Sequence, residues 1–278
     1  MAAGSVDPAA LNAAVWRRGA WVAAYDNERL SRAEIRLLLH DSGPLAGRVL
    51  ELGPGAGRVT TYLADLATEL TALELSPAMA EACRRRVPSA RVEVRDMTDL
   101  GDFGDGAFDA VVAGNNVIDV LDDPDRRTLL AQLRRVLTPG GALQFSSHNR
   151  DHDVRRPWQP RDLRNPRWLA GDLLRLPASV RNHRRLAPEQ REYEGFAVRN
   201  DEAHSFSLLL YHITARAQRE QLAEAGFTLE LCLTEAGDVV DVDGPPNSTP
   251  YLHYSARASA DRPGTGPSQP HPAPTGQP

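Results

Sequence analysis

The chain has 278 residues and a formal net charge of −5, and its residues are 41% hydrophobic and 25% charged. This composition is typical of a globular protein, and the length suits one large α/β domain with an insertion or two small domains. The net negative charge gives no reason to expect nucleic acid as the main partner. All 32 basic residues are arginine, which excludes Schiff-base or general-base chemistry by lysine.

The sequence predicts neither export nor membrane insertion. The first residues lack a basic start followed by an apolar run, and no stretch approaches 18 consecutive apolar residues. We therefore expect a cytoplasmic protein. Its two cysteines, Cys83 and Cys232, lie far apart without metal-ligand spacing, which predicts reduced thiols and no metal site.

Helical patterns dominate the chain ahead of its first predicted strand. Residues 1–10 are small and polar and are expected to be a flexible N-terminus. The main domain, with its N-terminal helices and its core, is therefore predicted to span 11–149. Within it, Ser31-Arg-Ala-Glu34 has the Ser-x-x-Glu form of a capping box and predicts a helix that begins there. Asp41-Ser-Gly-Pro44 is predicted to end that helix.

A predicted strand, a glycine-rich turn and a helix follow one another from Arg48 onward. Val49, Leu50 and Leu52 form an apolar run that is typical of a buried strand. Three glycines follow: Gly53, Gly55 and Gly57. Because glycine has no side chain, such a turn lets the backbone pass close beneath a ligand. Arg58 stands where a dinucleotide fingerprint has its third glycine, which disfavours NAD or FAD.

The segment Glu51-Leu-Gly-Pro-Gly-Ala-Gly57 resembles motif I, (D/E)-x-G-x-G-x-G, of the class I S-adenosylmethionine (SAM)-dependent methyltransferases. Arg135-Val-Leu-Thr-Pro-Gly-Gly-Ala-Leu143 resembles the helix-to-strand junction of the small-molecule members, and the resemblance extends over residues 48–147. It implies an α/β fold with a Rossmann-like seven-stranded sheet, whose final strand is antiparallel. It also implies SAM as the cofactor, with Glu51 and the three glycines among the residues that bind it.

A second strand is predicted at Leu70–Leu75, with Glu74 near its end. A carboxylate about 20 residues after a glycine loop can accept hydrogen bonds from both ribose hydroxyls, and a solvated surface acid is the alternative. Ser76-Pro77 predicts the start of the next helix, with serine as the N-cap. In the family that the chain resembles, apolar residues after the acid pack on adenine, and here these are Leu75 and Met79.

The third predicted strand, Arg91–Asp96, alternates as a half-buried strand does. Its last residue is an acid, and Met97 follows. The resemblance implies that Asp96 binds the amino group of adenine and that Met97 covers the ring. A plain turn or N-cap role for Asp96 is the alternative.

The fourth predicted strand, Phe108–Ala113, runs into polar residues. Open α/β sheets place ligand contacts at the carboxyl ends of their strands, so Asn115 and Asn116 are candidates to bind the methionyl group. Asp119 is expected either to reach the substrate or to cap the following helix. An N-terminal helical segment often lies across the cofactor site in the resembled family, which makes Tyr25 a candidate contact, with a core aromatic as the alternative.

A helix is predicted at 125–137 and a fifth strand at 142–147. His148 follows that strand, at the edge where the sulfonium methyl group would be presented. Since its unperturbed pKa lies near neutrality, His148 could deprotonate a hydroxyl or amine acceptor. The alternative is a structural histidine that binds a nearby loop.

About sixty residues, 150–213, interrupt the β/α repeat. Positions 150 to 200 hold twelve arginines against seven acidic residues. We interpret this segment as an inserted lid that binds the acceptor, with a preference for an acidic one, and solvated surface arginines are the alternative. Asn200–His204 and Tyr211-His212 could line such a pocket.

The remaining residues resemble the C-terminal half of the same fold. A helix is predicted at Ala215–Ala225, and strands at Phe227–Thr234 and Tyr251–Ala258, so that 214–258 complete the sheet. Proline, glycine, serine and glutamine dominate 259–278, which predicts a disordered tail.

These patterns predict a metal-independent methyltransferase that acts on a small molecule or a short peptide, and O-methylation is favoured. The chain lacks the Asn/Asp-Pro-Pro-Tyr/Phe signature of adenine-N6 and glutamine methyltransferases, and it lacks the Pro-Cys pair of cytosine-C5 enzymes. Two other classes stay open: a SAM-binding scaffold or sensor without catalysis, and an NAD(P)-dependent oxidoreductase, which Arg58 disfavours.

Overall fold

One twisted sheet forms the centre of the computed structural model, which describes residues 7–17, 29–159 and 166–260. The strands of this sheet are β1 (Arg48–Leu52), β2 (Glu69–Glu74), β3 (Arg91–Val94), β4 (Phe108–Ala113), β5 (Leu137–Asn149), β6 (Arg191–Glu192), β7 (Phe196–Arg199), β8 (Leu210–Ile213), β9 (Phe227–Thr234) and β10 (Tyr251–Ala258).

Seven of these strands form the predicted sheet, in the order β3-β2-β1-β4-β5-β10-β9. The first five are parallel, and β10 runs antiparallel to both of its neighbours. The carboxyl ends of β1 to β5 therefore meet at one edge, where an open α/β sheet binds its ligands. The sheet is wider than predicted, because β6, β7 and β8 extend it.

Helices flank the sheet and precede it. They are α1 (Pro8–Trp16), α2 (Arg32–His40), α3 (Ser42–Leu45), α4 (Thr60–Leu66), α5 (Pro77–Arg86), α6 (Asp123–Val136), α7 (Pro166–Leu186) and α8 (Ala215–Glu224). Within the described ranges, none of these helices combines the length and the apolarity that crossing a bilayer requires.

The first residues of α1 and α2 show how the local sequence determines where a helix begins. The predicted capping box of α2 is present: Ser31 accepts from the backbone of Glu34, and Glu34 accepts from that of Ser31. The prediction that 1–10 are flexible is wrong for the last three of them, because α1 already begins at Pro8. Asp7 caps this helix by accepting hydrogen bonds from two of its backbone N–H groups, and proline suits the first helical position.

Apolar side chains cover both faces of the central strands. In β1, Val49 packs into the cluster on one face, while Leu50 and Leu52 pack into the larger cluster on the other. Side chains alternate along a strand, so a strand buried on both faces has a nearly continuous apolar sequence. This is why the short run ahead of the glycine loop identifies a central strand.

Strand β5 is longer than the predicted 142–147. It begins at Leu137, where it pairs with Phe108 of β4, and it continues to Asn149. The last two residues of β5 extend beyond the end of β4. They pair with β8 on one side, and His148 pairs with β10 on the other. His148 is therefore a buried strand residue and not part of a loop.

Residues 150–213 lie between β5 and α8, and we call them the insertion. Helix α7 and the antiparallel strands β6 to β8 belong to it. Asn200 is buried and stabilises the turns of the insertion. Its side-chain amide donates to the carbonyls of Phe206 (2.9 Å) and Leu208 (2.7 Å). Since β8 pairs with β5, the insertion continues the core sheet.

Arg126 of α6 is fully buried at the junction of α6, α8 and β5. Its guanidinium donates to Asp119 (2.6 Å) and Ser147 (3.2 Å), and to Gln218 (2.7 Å) and Gln221 (3.1 Å) of α8. A buried charge is tolerated when it is paired and hydrogen-bonded in this way.

Replacing Arg126 by methionine is expected to lower the free energy of unfolding by about 3–5 kcal/mol, because it leaves the Asp119 carboxylate buried without its cation. The matched control is Arg127→Met at the next position. Arg127 is 45% exposed and pairs with Asp123 and Glu224, so its loss should cost about 0–1 kcal/mol. Urea unfolding followed by circular dichroism measures both values, and equal losses would contradict the structural role of Arg126.

Candidate active site

A cavity of about 850 Å³ opens at the carboxyl edge of β1 to β5. The glycine loop forms one wall, and α1 and the insertion form the opposite wall. Among the predicted site residues, the following line it: Glu51, Gly53, Gly55, Glu74, Leu75, Met79, Asp96, Met97, Asn115, Asn116 and His148. Side chains that are distant in sequence thus meet at the ends of successive strands, as the parallel order requires.

The three glycines of the loop have left-handed backbones but different surroundings. Gly53 has a φ of +60°, and a Cβ there would lie 2.3 Å from the side chain of Val117. Gly55, at +58°, has open space around the Cβ position. Gly57, at +91°, faces Cys83 of α5 and does not line the cavity. Because Gly57 has no side chain, the loop can pack closely against this helix.

Glu74 ends β2 and is held in place by the backbone. The N–H groups of Gly55 (3.0 Å) and Ser76 (2.8 Å) donate to its two carboxylate oxygens. Burial raises the pKa of Glu74, although these hydrogen bonds oppose the rise. The side chain is 7% exposed and lines the cavity, so an oriented acceptor faces a ligand there. Ser76 is the N-cap of α5, as predicted, but its own side chain makes no capping hydrogen bond.

Glu51 lies in β1, beneath the glycine loop. Its Oε2 is buried and has no hydrogen-bond partner. Burial raises the pKa of Glu51 to about 7, despite the opposing effects of Thr60 and Arg58. A buried polar atom without a partner, on the wall of a cavity, is a group that a ligand can satisfy.

Asp96 follows β3 and forms a local turn. Its Oδ1 accepts hydrogen bonds from the backbone N–H (2.9 Å) and the hydroxyl (2.7 Å) of Thr98. The turn role that was the alternative is therefore present, and the side chain still lines the cavity next to Met97.

Asn115 and Asn116 follow β4 with φ values of +51° and +55°. Asparagine adopts this left-handed region more readily than most residues, because its short side chain forms local hydrogen bonds. The N–H of Asn116 donates to the hydroxyl of Ser146 (2.8 Å), and its side-chain oxygen is buried without a partner. Both asparagines are thus turned toward the cavity edge.

His148 connects the core to the insertion. Its Nδ1 lies 2.6 Å from Asp119, and its Nε2 lies 3.3 Å from Asp201 of the insertion. Burial alone would lower the pKa of His148, but Asp119 and Asp201 outweigh it and raise that pKa. Asp119 accepts hydrogen bonds from Arg126, Ser147 and His148. It does not cap the following helix, because Asp122 is the N-cap of α6. The predicted alternative for His148, contact with a loop, is present together with its position at the cavity.

Sequence reasoning missed the contribution of β10. Tyr251 and His253 line the cavity, because they pair in register with His148 and Ser146 of β5. Burial lowers the pKa of His253 to about 4, and its Nε2 is buried without a partner. Alternation in the β10 sequence was the available signal, but only the pairing of β10 with β5 shows which face is inward.

A second missed feature is an ion pair that joins α2 to the glycine loop. Arg58 donates to both carboxylate oxygens of Glu34 (2.7 and 2.9 Å), and both residues line the cavity. The arginine that stands in place of a third glycine therefore connects α2 to the loop. Tyr25, the predicted contact from this region, lies outside the described residues.

The wall opposite the loop combines α1 with the insertion. Trp16 of α1 packs edge-on against His204 at 4.5 Å between ring centroids, and Leu208 and Leu210 lie beside them. Asn12 fastens this helix, because its side chain donates to the carbonyls of Val120 and Leu209. Residues from three distant parts of the chain thus meet on one largely apolar surface.

Residues 49–141 match the family model described as a methyltransferase domain. Two curated relatives are each 33% identical over 111 residues. The O-methyltransferase cnsE of Penicillium expansum matches over 37% of this chain and 39% of its own length. The ubiquinone biosynthesis O-methyltransferase of Xanthomonas oryzae pv. oryzae matches over 38% and 45%. This chain therefore spans less than half of the length of these relatives.

A solved structure resembles the chain over more of its length. It is the Burkholderia thailandensis 1,6-didemethyltoxoflavin-N1-methyltransferase with bound 1,6-didemethyltoxoflavin and S-adenosylhomocysteine. The TM-score is 0.59 at 19% identity, and the match covers 93% of both chains. At this identity the likeness shows the fold alone.

Proposed function

We propose that this chain, which belongs to the class I SAM-dependent methyltransferases, transfers the methyl group of SAM to a small molecule. The observation that carries the proposal is the cavity beside the glycine loop, into which Glu74 presents a carboxylate oriented by Gly55 and Ser76. A fixed carboxylate at the end of the second strand suits a pair of ribose hydroxyls.

The residues at the cavity fit SAM chemically. Glu74 would hold the ribose, and Asp96 would hold the amino group of adenine between Met79 and Met97. Asn115 and Asn116 would hold the methionyl group, whose polar ends can satisfy the buried oxygen of Asn116 that lacks a partner. A volume of about 850 Å³ lies within the range of pockets that take a cofactor or a drug-sized ligand.

Bound SAM would supply a methyl carbon activated by the neighbouring sulfonium. The chain itself must orient the two reactants and keep water away, and such positioning can lower a barrier by roughly 7–11 kcal/mol. We assign His148 as the base for an acceptor that arrives protonated. Since Asp119 binds Nδ1, Nε2 is the atom that would take the acceptor's proton.

The acceptor would lie against the wall made by α1 and the insertion, where Trp16, His204 and Leu208 suit a flat, mainly apolar ring. We favour a hydroxyl as the methylated group, because both aligned relatives are named O-methyltransferases. A preference for an acidic acceptor, or for a peptide, stays a prediction. No described arginine of the insertion lines the cavity, so an acidic group would have to be bound by one of the arginines that do line it, which are Arg17, Arg29, Arg58 and Arg95.

Isothermal titration calorimetry with SAM, S-adenosylhomocysteine and NADPH tests the cofactor. We expect SAM and its product to bind at one site per chain and NADPH not to bind. Binding of NADPH without SAM would overturn the proposal, and SAM binding without turnover on any aromatic hydroxyl or amine would favour the sensor. Electron density for a co-purified compound against Trp16 would identify the acceptor class directly.

A further inference from the structure

Asp201 of the insertion lies beside His148 in a buried position. It follows β7, is 6% exposed, and accepts a hydrogen bond through Oδ1 from the backbone of Ala203 (2.8 Å). The neighbouring Asn200 is fixed by two carbonyls of the same segment. The other carboxylate oxygen, Oδ2, lies 3.3 Å from Nε2 of His148.

The groups around His148 come from the core and from the insertion. Asp119, Arg126 and Tyr251 of β10 lie on the core side, and Asp201 and His212 of β8 lie on the insertion side. The charge of Asp119 is already balanced by Arg126 at 2.6 Å.

The charge of Asp201 has a different partner. Among the described residues no arginine pairs with it, and its other basic neighbour is His212 at 3.7 Å. Burial lowers the pKa of His212 well below its usual value and so opposes a positive charge on that ring. The carboxylate of Asp201 is therefore left to interact with the imidazole of His148.

We propose that Asp201 is a positioning residue for methyl transfer: its carboxylate lies beside Nε2 of His148 and stabilises the imidazolium that forms when the acceptor loses its proton. The inference rests on the proposed function, because it requires His148 to be the base. In this step the proton passes from the acceptor to Nε2 and the acceptor's lone pair bonds the methyl carbon. The electrons of the broken C–S bond remain on sulfur as a neutral thioether.

This assignment gives the insertion a role beyond enclosing the acceptor. The core alone supplies only the Nδ1 partner of His148, and the Nε2 partner is present only while the insertion is docked through β8 on β5. The insertion therefore supplies Asp201 to the surroundings of His148 in addition to forming part of the acceptor wall.

The test is an NMR titration of protein labelled with ¹⁵N in histidine, with the His148 signals assigned by comparison with His148→Ala. In Asp201→Asn, a neutral side chain of the same shape, we expect the His148 midpoint to move to lower pH, because the imidazolium loses an opposite charge. Asp201→Glu should restore it. The control is Glu202→Gln, which removes a 45% exposed acid that pairs with Arg155 and should leave the midpoint unchanged.

An unchanged midpoint in Asp201→Asn, or an equal shift in Glu202→Gln, would overturn the proposal. If Asp201→Asn does not fold, a wild-type midpoint for His148 at or below about 6.5, the unperturbed value for histidine, would overturn it as well. The titration needs neither cofactor nor acceptor, so its failure is separate from a failure to bind SAM. With an acceptor in hand, the pH at which kcat reaches half its maximum should move down in Asp201→Asn alone.

Discussion

Alanine at position 74 is expected to weaken SAM binding on the order of 100-fold, about 2.7 kcal/mol, because the proposed pair of hydrogen bonds from the ribose to a charged acceptor would be lost. The carboxylate of Glu74 is already oriented by the N–H groups of Gly55 and Ser76, so its contribution requires no rearrangement on binding. Glutamine at this position keeps one acceptor oxygen, so Glu74→Gln should weaken SAM binding less than Glu74→Ala does. Calorimetric titration with SAM measures each affinity.

The matched control is Glu69→Ala, at the opposite end of the same strand. Glu69 is exposed and lies away from the cavity, so its removal should leave SAM affinity unchanged. Thermal unfolding of each variant shows whether the fold is kept. Wild-type affinity in a folded Glu74→Ala protein would contradict the ribose assignment, and equal losses in both variants would point to a general effect on the sheet.

Removal of the His148 imidazole is expected to lower kcat by roughly 10²- to 10⁴-fold, the usual contribution of a general base, with SAM affinity unchanged. In the wild-type enzyme kcat should rise with pH, because the base acts only when neutral. Since Asp119 and Asp201 raise the pKa of His148, this rise should occur above the pH at which an ordinary histidine titrates. In His148→Ala this rise of kcat with pH should be absent. Steady-state rates across pH measure both effects.

His152→Ala is the control from the same segment. Its ring Nδ1 lies 2.8 Å from the carbonyl of Ser248, and the side chain does not line the cavity. We expect wild-type kcat and an unchanged pH profile. If His148→Ala turns over at the wild-type rate, the histidine is a structural link between core and insertion, and an acceptor that binds already deprotonated becomes the better explanation.

Much of the core could be read from local patterns. The bounds of β4, β9 and β10 agree with the predicted strands to the residue, and the capping box at Ser31 is formed. These elements are determined by neighbours in the sequence: alternating or continuous apolar residues, a cap, and glycines that permit positive φ. The insertion could be located by the broken repeat, but its strands could not, because β6 has only two residues.

Some residues of the site could likewise be predicted from the sequence, and others could not. Glu74 and Asp96 could be proposed from sequence, since parallel strands place their carboxyl ends at one edge, and both residues line the cavity there. The partners of His148 could not be identified. Asp119 is 29 residues away in sequence and Asp201 is 53, and neither lies in a motif.

The sequence by itself determined the β-turn-α unit at 48–66 and the acids at the ends of the next two strands, since each depends on a few adjacent residues. Only the tertiary structure decided that Arg126 would balance Asp119, that β10 would bring Tyr251 and His253 into the cavity, and that Asp201 would meet His148. Each of these depends on which strands pair and on which face of a strand is turned inward. The free energy that selects those pairings comes from burial summed over the whole chain, and no short window of sequence contains it.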